Sequence, residues 1–305
     1  MTNHLSPTPN PAFGLAIVPL LKRLLRMIVT IIIGFFLLMS CMAFAFQQKM
    51  IYFPRRYDPS YARGLPRGTV ELNYRTSQGA QTAFYIPPMD GSDKPPGRLW
   101  AVFSGNASVA LDWLDTVEAA RGARAGYLLM DYPGYGKCEG AARRGTIRES
   151  SEAAFRALAD HLHCPLTALE TGLNILGFSI GSATGLDFAA GHPVKQVVLL
   201  APFTSLLDMA RLSVGWPLCN LLRDRYDNRA RLAGLASRAD PPAVLILHGT
   251  ADDIVPFRMS KELSGRHPTM ITLRPVAGAD HNTLMTAAEK QIADLLRPDG
   301  VLADR

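Results

Sequence analysis

A serine at position 179 has the sequence surroundings of a catalytic nucleophile. It lies within the pattern G-x-S-x-G at residues 177–181, directly after the apolar residues Ile175 and Leu176. That pattern, between a predicted strand and a predicted helix, is typical of a nucleophile elbow, a sharp turn that exposes the serine hydroxyl. The turn requires small residues two positions from the serine, and Gly177 and Gly181 meet this requirement.

A base and an acid follow the serine in the chain. A serine hydroxyl is a poor nucleophile until a base takes its proton, and a carboxylate must orient that base. Asp252 comes after an apolar run that ends in His248, and His281 comes after the apolar residues 270–273. We therefore predict His281 as the base and Asp252 as the acid, with Asp253 as the competing acid. His248 is interpreted as a turn residue.

The same chemistry needs donors for the oxyanion that develops on a substrate carbonyl. One is expected to be the backbone N–H of Ile180, directly after the nucleophile. The second is expected after the apolar run 99–103, where Gly105 permits close approach of the backbone and Asn106 is the predicted donor. An ordinary strand-to-helix turn is the competing interpretation of this loop. Trp113 is a candidate for the pocket lining, with a core aromatic as the alternative.

These residues together resemble the α/β-hydrolase superfamily. Within it, the chain is similar to a membrane-anchored branch that includes the BEM46-like proteins and the α/β-hydrolase domain-containing proteins 13 and 17. The resemblance spans residues 45–297 and rests on segments 47–54, 105–107, 131–136, 177–181, 201–205, 248–256 and 278–281. It implies an α/β fold with a mostly parallel central sheet, helices on both faces and a short helical lid. It also implies a serine esterase-like hydrolase that uses Ser179, Asp252 and His281 and needs no cofactor.

Three positions depart from the pattern of that family. Ser104 stands where the oxyanion loop usually begins with histidine, and Cys138 stands where a serine is usual. Asp280 replaces a small residue next to the predicted base, where its charge would favour the imidazolium. None of the three removes a predicted catalytic group.

Composition limits the classes of protein that fit. The chain has 305 residues, 48% of them hydrophobic, which suits one large α/β domain. Its four cysteines, at positions 41, 138, 164 and 219, lack metal-ligand spacing, so we expect free thiols and no metal.

The positive charge is concentrated near the N-terminus. Residues 1–67 hold eight Lys or Arg and one Asp, a balance of +7, so the remainder of the +6 chain sums to −1. This basic segment suits anionic lipid headgroups. The nearly neutral remainder argues against nucleic acid as a partner.

An uncharged stretch near the N-terminus predicts a membrane anchor. Residues 27–46 are twenty consecutive residues without a charge, enough to cross a hydrocarbon core of ~30 Å at ~1.5 Å per residue. The basic residues before this stretch place the N-terminus inside, although Lys49, Arg55 and Arg56 flank its other end. A cleaved signal peptide, a lipoprotein modified at Cys41 and a buried core helix are the alternatives.

The predicted organisation is a tail at 1–23, an anchor at 24–46 and a catalytic domain at 47–305. Apolar periodicity in the catalytic domain alternates strands with helices, which favours a parallel sheet covered on both faces. Thr146 and Glu149 have the spacing of a capping box at the start of a helix. Residues 205–240 break the alternation and are interpreted as a short lid, with a plain crossover helix as the alternative.

The function predicted from these features is hydrolysis of a carboxylic ester or thioester with an apolar acyl group, in a small molecule or a lipid. Two alternatives remain open, a peptidase or amidase of the same fold and a non-catalytic binding protein. The sequence leaves acyl length, leaving group and oligomeric state undetermined.

Overall fold

A computed structural model describes residues 11–90, 94–122 and 124–297, and the side chains from residue 19 onward. The chain divides between Gln47 and Gln48 into two compact units. Residues 1–10 of the predicted tail lie outside the described residues.

The first unit is helical. Helix α1 covers Pro11–Ile51, so it begins within the predicted tail and extends past both ends of the predicted anchor. Its part from Pro19 to Ile51 has a mean hydropathy of 2.6 in its most apolar window, and that window is not buried. Of the described helices, this one has the length and composition needed to cross a bilayer.

Within the described part of the second unit, eight strands form one sheet in the order β1-β2-β4-β3-β5-β6-β7-β8. The strands are β1 Val70–Thr76, β2 Gly79–Ile86, β3 Arg98–Phe103, β4 Ala125–Met130, β5 Leu173–Phe178, β6 Gln196–Leu200, β7 Ala243–Gly249 and β8 Ile271–Val276. Strands β3 to β8 pair in parallel, whereas β2 is antiparallel to both β1 and β4. The carboxyl ends of six parallel strands therefore meet at one edge, which we call the carboxyl edge.

Helices cover both faces of this sheet, as the sequence predicted. They are α2 Leu114–Ala120, α3 Arg144–His161, α4 Leu166–Glu170, α5 Ile180–Ala189, α6 Leu206–Val214, α7 Asn228–Ala236, α8 Arg258–Arg266, α9 Leu284–Ala287 and α10 Glu289–Leu296. Alternate residues of each strand face opposite sides of a sheet, and two separate cores result. One contains Phe155 of α3 and Leu186 of α5. The other contains Val117 of α2 and Ile292 of α10.

The predicted capping box is wrong in its partners. Helix α3 begins at Arg144, so Thr146 is its third residue, and the Thr146 hydroxyl accepts from the backbone N–H of Arg143 at 2.9 Å. Glu149 instead accepts from the backbone N–H of Ser77 in the β1–β2 turn, at 2.7 Å. The spacing was compatible with a cap, but the Glu149 carboxylate forms its hydrogen bond with a residue distant in sequence.

The segment between β6 and β7 contains α6, a short 3-10 helix at Leu218–Leu221, and α7. Within this segment the chain turns back on itself. Ser205, just before α6, and Asp227, just before α7, lie side by side in an isolated antiparallel bridge. No residue of α6 is fully buried.

Candidate active site

Ser179 stands at the turn between β5 and α5, where the backbone is constrained. Its φ of 54° lies in a region that L residues rarely adopt. A Cβ on Gly177 would lie 2.4 Å from the carbonyl oxygen of Gly181, and one on Gly181 would lie 2.1 Å from the carbonyl oxygen of Phe103. Glycine at both positions therefore permits the close packing of strand, turn and helix. The N–H of Ser179 donates to the carbonyl of Leu200 at 2.8 Å, which ties the turn to β6.

The three predicted catalytic side chains come together at the carboxyl edge. Ser179 Oγ lies 3.1 Å from His281 Nε2, and His281 Nδ1 lies 2.7 Å from Asp252 Oδ2. His281 and Asp252 are buried, and Ser179 is half-buried. The imidazole of His281 stacks on the ring of Phe178 with centroids 5.0 Å apart. Asp253 is exposed, so the pairing distinguishes the two adjacent carboxylates.

Hydrogen bonding keeps Asp252 ionised. Burial opposes its charge, but hydrogen bonds from His248, from His281 and from the N–H of Val255 hold its pKa well below the usual range. An ionised carboxylate can only accept hydrogen bonds. His281 Nδ1 must therefore donate to Asp252, which leaves Nε2 of the neutral imidazole to accept the proton of Ser179. This is the tautomer that a general base next to a serine needs.

His248 is a site residue that the sequence interpretation missed. It is fully buried, with Nε2 lying 3.2 Å from Asp252 Oδ2 and 2.8 Å from the carbonyl of Val255. Both of these neighbours are acceptors, so Nε2 carries the proton. The other nitrogen lies 2.5 Å from the hydroxyl of Ser260. The signal available in the sequence was the four-residue spacing between His248 and Asp252 on either side of a turn.

The two predicted oxyanion donors are Ile180, directly after Ser179, and Asn106, in the loop after β3. Ile180 begins α5, so its N–H has no acceptor four residues earlier within the helix. Gly105 packs against Phe178, where a Cβ would come within 2.6 Å of the ring. That contact brings the loop after β3 against the residue that precedes the nucleophile.

The side chain of Asn106 joins this loop to the end of α1. Its Nδ2 donates to the carbonyl of Ile51 at 2.7 Å. Its Oδ1 accepts from the N–H of Phe53 and from the hydroxyl of Tyr135, each at 2.9 Å. The sequence predicted a backbone role for Asn106, and the side chain adds this connection.

Residues 52–57, which follow the predicted membrane anchor and which we therefore call the juxtamembrane segment, are held to the loop after β4. Tyr57 donates from its hydroxyl to Asp131 at 2.6 Å, and the N–H of Gly136 donates to the carbonyl of Arg55 at 2.8 Å. Arg56 donates to the carbonyl of Cys138 at 2.8 Å, and Arg55 pairs with Asp112. Two of the basic residues expected to attract anionic lipids are thus engaged by protein groups.

The remaining predicted residues have structural contacts. Trp113 is 2% exposed and belongs to a core, and its indole N–H donates to the Ser104 hydroxyl at 3.2 Å, so the core alternative applies. Cys138 is buried behind β2, and burial raises the pKa of its thiol to about 12. Asp280 accepts from the N–H of Thr283 at 2.8 Å and so caps its own turn.

No family model matches the sequence. An uncharacterised protein of Mycobacterium tuberculosis is 29% identical over 239 residues, covering 77% of this chain and 80% of that protein. The human alpha/beta hydrolase domain-containing protein 17B is 27% identical over 210 residues, covering 68% of this chain and 67% of that protein.

A solved structure of an esterase from Pyrococcus furiosus superposes with a TM-score of 0.57 at 15% identity. The match covers 81% of this chain and 96% of the esterase. At this identity the likeness establishes the common fold and leaves the substrate open.

Proposed function

The chain belongs to the α/β-hydrolase superfamily, and we propose that it is a membrane-anchored serine hydrolase that cleaves carboxylic esters or thioesters through an acyl-enzyme. The observation that carries this proposal is the hydrogen-bonded series Ser179, His281 and Asp252, with distances of 3.1 and 2.7 Å. In that arrangement the serine has its base within reach and the base has its orienting carboxylate.

The reaction proceeds in two halves. Ser179 Oγ attacks the substrate carbonyl while His281 Nε2 takes the hydroxyl proton, and the N–H groups of Ile180 and Asn106 stabilise the oxyanion. The imidazolium then donates this proton to the departing alcohol or thiol, which leaves an ester on Ser179. A water molecule, deprotonated by His281, attacks that ester, and the proton returns to Ser179 as the acid is released.

The low pKa of Asp252 supports its proposed role. It stays anionic because burial is outweighed by donors, His248 first among them, and its pKa is held well below the usual range. An ionised Asp252 stabilises the imidazolium formed in each half of the reaction.

The anchor is proposed from helix α1. Its described part from Pro19 to Ile51 has 33 residues, about 50 Å at ~1.5 Å per residue, which exceeds the ~30 Å hydrocarbon core. The exposed apolar side chains along it, such as Ile31 and Phe35 at 61% and 63% exposure, require an apolar environment. The N-terminus is proposed on the cytoplasmic side, as the preceding basic residues favour. The segment 205–240 is proposed as a small lid.

The test is covalent labelling with a fluorophosphonate, together with hydrolysis of p-nitrophenyl esters of graded chain length. Ser179→Ala should lose the label and lower kcat on the order of 10⁴–10⁶-fold, because the nucleophile is removed. Ser264→Ala, which removes a half-buried hydroxyl that donates to the carbonyl of Lys261 on α8, is the matched control and should keep both. Label retained on Ser179→Ala would place the nucleophile elsewhere and refute the proposal.

A further inference from the structure

Exposed apolar side chains are unevenly distributed over the catalytic unit. Beyond the end of α1, five large apolar residues of the described chain are exposed. They are Phe53 at 52%, Met89 at 66%, Leu212 at 52%, Trp216 at 77% and Ile254 at 49%. Single exposed apolar residues are normal on a soluble surface, but a group of them at one place indicates an interaction site.

Four of the five belong to segments at the carboxyl edge. Phe53 is bonded through its N–H to Asn106, in the loop after β3. Ile254 follows β7, and its N–H donates to Asp252 at 3.0 Å. Leu212 and Trp216 lie in the segment after β6. The segments of Phe53 and Ile254 also carry or contact a residue of the candidate active site.

The segment of residues 205–227, which contains Leu212 and Trp216 and which we call the excursion, is held together at its two ends by backbone hydrogen bonds. The N–H of Leu206 donates to the carbonyl of Tyr226 at 2.9 Å, and the N–H of Asn228 donates to the carbonyl of Thr204 at 3.0 Å. Trp216 lies midway between these closures along the chain. The hydroxyl of Tyr52 donates to Asp224 at 2.9 Å, so the juxtamembrane segment is bonded to the returning part of the excursion.

Met89 is the exception, and it lies at the other edge of the sheet. It follows β2, which runs antiparallel to β4. Its N–H donates to the carbonyl of Gly122, just before β4 begins. Exposed apolar residues are thus grouped on the edge that carries Ser179, with one isolated residue opposite.

We propose that the carboxyl edge docks on the surface of the bilayer that α1 spans, with Phe53, Leu212, Trp216 and Ile254 entering its interfacial layer. The proposal rests on the membrane anchor proposed above. Phe53 is six residues beyond Gln47, where the apolar unit ends, a reach of at most ~20 Å in an extended chain. Tryptophan at the tip suits that layer, since its ring prefers the headgroup level. Substrate acyl chains would then pass from lipid to Ser179 without crossing bulk water.

The three tryptophans make the docking measurable in the full chain. Trp100 and Trp113 are 0% and 2% exposed, and α1 contains none, so Trp216 alone can contact quenchers. The full-length protein is reconstituted in vesicles of phosphatidylcholine carrying bromine on the acyl chains, and acrylamide is added to parallel samples. The fluorescence of Trp216→Phe, measured in both, is subtracted.

Docking predicts that brominated lipid quenches the Trp216 emission at least twofold and that acrylamide quenches it little. Quenching by acrylamide but not by brominated lipid would overturn the proposal, because Trp216 would then face water. Protection from both quenchers would also overturn it, since a protein surface such as a second copy of this chain would cover the edge.

A kinetic arm uses one ester presented in vesicles and one soluble short-chain ester. In the double variant Leu212→Ser with Trp216→Ser, the ratio of kcat/KM for the vesicle ester to that for the soluble ester should fall on the order of 10-fold. Met89→Ser, the exposed residue at the opposite edge, should leave the ratio unchanged. An unchanged ratio in the double variant would overturn docking while ester hydrolysis stood. Loss of fluorophosphonate labelling in the unmutated protein would refute the hydrolase and leave the quenching result intact.

Discussion

The loops after β4 and β7 each place a buried carboxylate at the carboxyl edge, but the pKa values of the two carboxylates shift in opposite directions. Asp131 is 3% exposed and Asp252 is 9% exposed. Asp252 receives hydrogen bonds from two imidazoles and from backbone N–H groups. Asp131 receives them from the hydroxyl of Tyr57 and the N–H of Ala110, at 2.6 and 2.8 Å. Burial consequently raises the pKa of Asp131 to about 6, whereas the donors hold that of Asp252 well below its usual range.

The difference shows what each loop is built to do. A carboxylate that orients a base must remain charged, and two imidazole N–H groups beside it offset the cost of burial. A carboxylate that holds a tyrosine hydroxyl can serve in either protonation state. In the proposed mechanism the loop after β7 therefore provides chemistry, and the loop after β4 holds the juxtamembrane segment through Tyr57.

The largest effect should come from neutralising Asp252. Asp252→Asn should lower kcat about 10⁴-fold, because an amide in place of the acceptor favours the wrong tautomer of His281. Asp253→Asn is the matched control, since that side chain is exposed, and its kcat should change by less than about 2-fold. Steady-state hydrolysis of a p-nitrophenyl ester measures both. The reverse ranking would assign the acid role to Asp253.

The next effect should come from His248, which contacts Asp252 but not the nucleophile. His248→Leu removes one donor to the carboxylate, and a hydrogen bond to a charged group contributes ~1.5–3 kcal/mol. We expect kcat to fall about 10- to 100-fold with KM nearly constant. The pKa of Asp252 should also rise, since the carboxylate loses a donor.

His248→Gln retains an N–H donor and should recover part of this loss. Thermal unfolding of both variants separates positioning from stability. If kcat and Tm fall equally in the leucine and glutamine variants, His248 contributes only packing.

The contrast between the loops also separates what the sequence predicted from what it could not. Chain order and the local turn pattern predicted that Ser179, Asp252 and His281 would lie together, because the carboxyl ends of parallel strands meet at one edge. The apolar runs likewise located the strands of the sheet. His248 was interpreted as a turn residue, because its role depends on a buried contact across the turn that spacing alone does not specify.

The partners of Asn106 and Glu149 were equally hidden from the sequence. Asn106 bonds the backbone of Ile51, 55 residues away, and Glu149 bonds Ser77, 72 residues away. Each of these side chains could also hydrogen-bond within its own loop or helix. The local sequence therefore does not indicate that it bonds to a backbone group distant in the chain.

Neutralising Asp131 should change the pH dependence of stability. Its pKa rises from an ordinary 3.8 to about 6 on folding, so the native state binds the proton more tightly. The free energy of unfolding that protonated Asp131 adds to the wild-type protein is then lost as pH increases from about 4 to about 6. It stays lost above that pH. Asp131→Asn cannot titrate. Its free energy of unfolding relative to wild type should therefore improve by ~2–3 kcal/mol between pH 4 and pH 7, at ~1.36 kcal/mol per pKa unit.

Urea unfolding of the detergent-solubilised protein at several pH values measures this difference. Contributions from Asp252 and other groups are common to both proteins and cancel. A difference that stays constant with pH would mean that Asp131 is already ionised at pH 4, and the contrast with Asp252 would disappear.

The smallest effect on turnover should come from deleting residues 1–46. The contacts of the loop after β4 with the juxtamembrane segment remain in that variant, as do the bonds of Asn106 to Ile51 and Phe53. We expect kcat on a soluble ester to stay within about 2-fold of the full chain, and the protein to leave the membrane fraction. Deleting residues 1–57 also removes Tyr57 and two partners of Asn106, Ile51 and Phe53, which should release the loop after β3 and lower kcat far more. Equal turnover of the two truncations would show that the juxtamembrane segment does not position the oxyanion loop. A full chain recovered in soluble, shortened form would identify α1 as a cleaved signal.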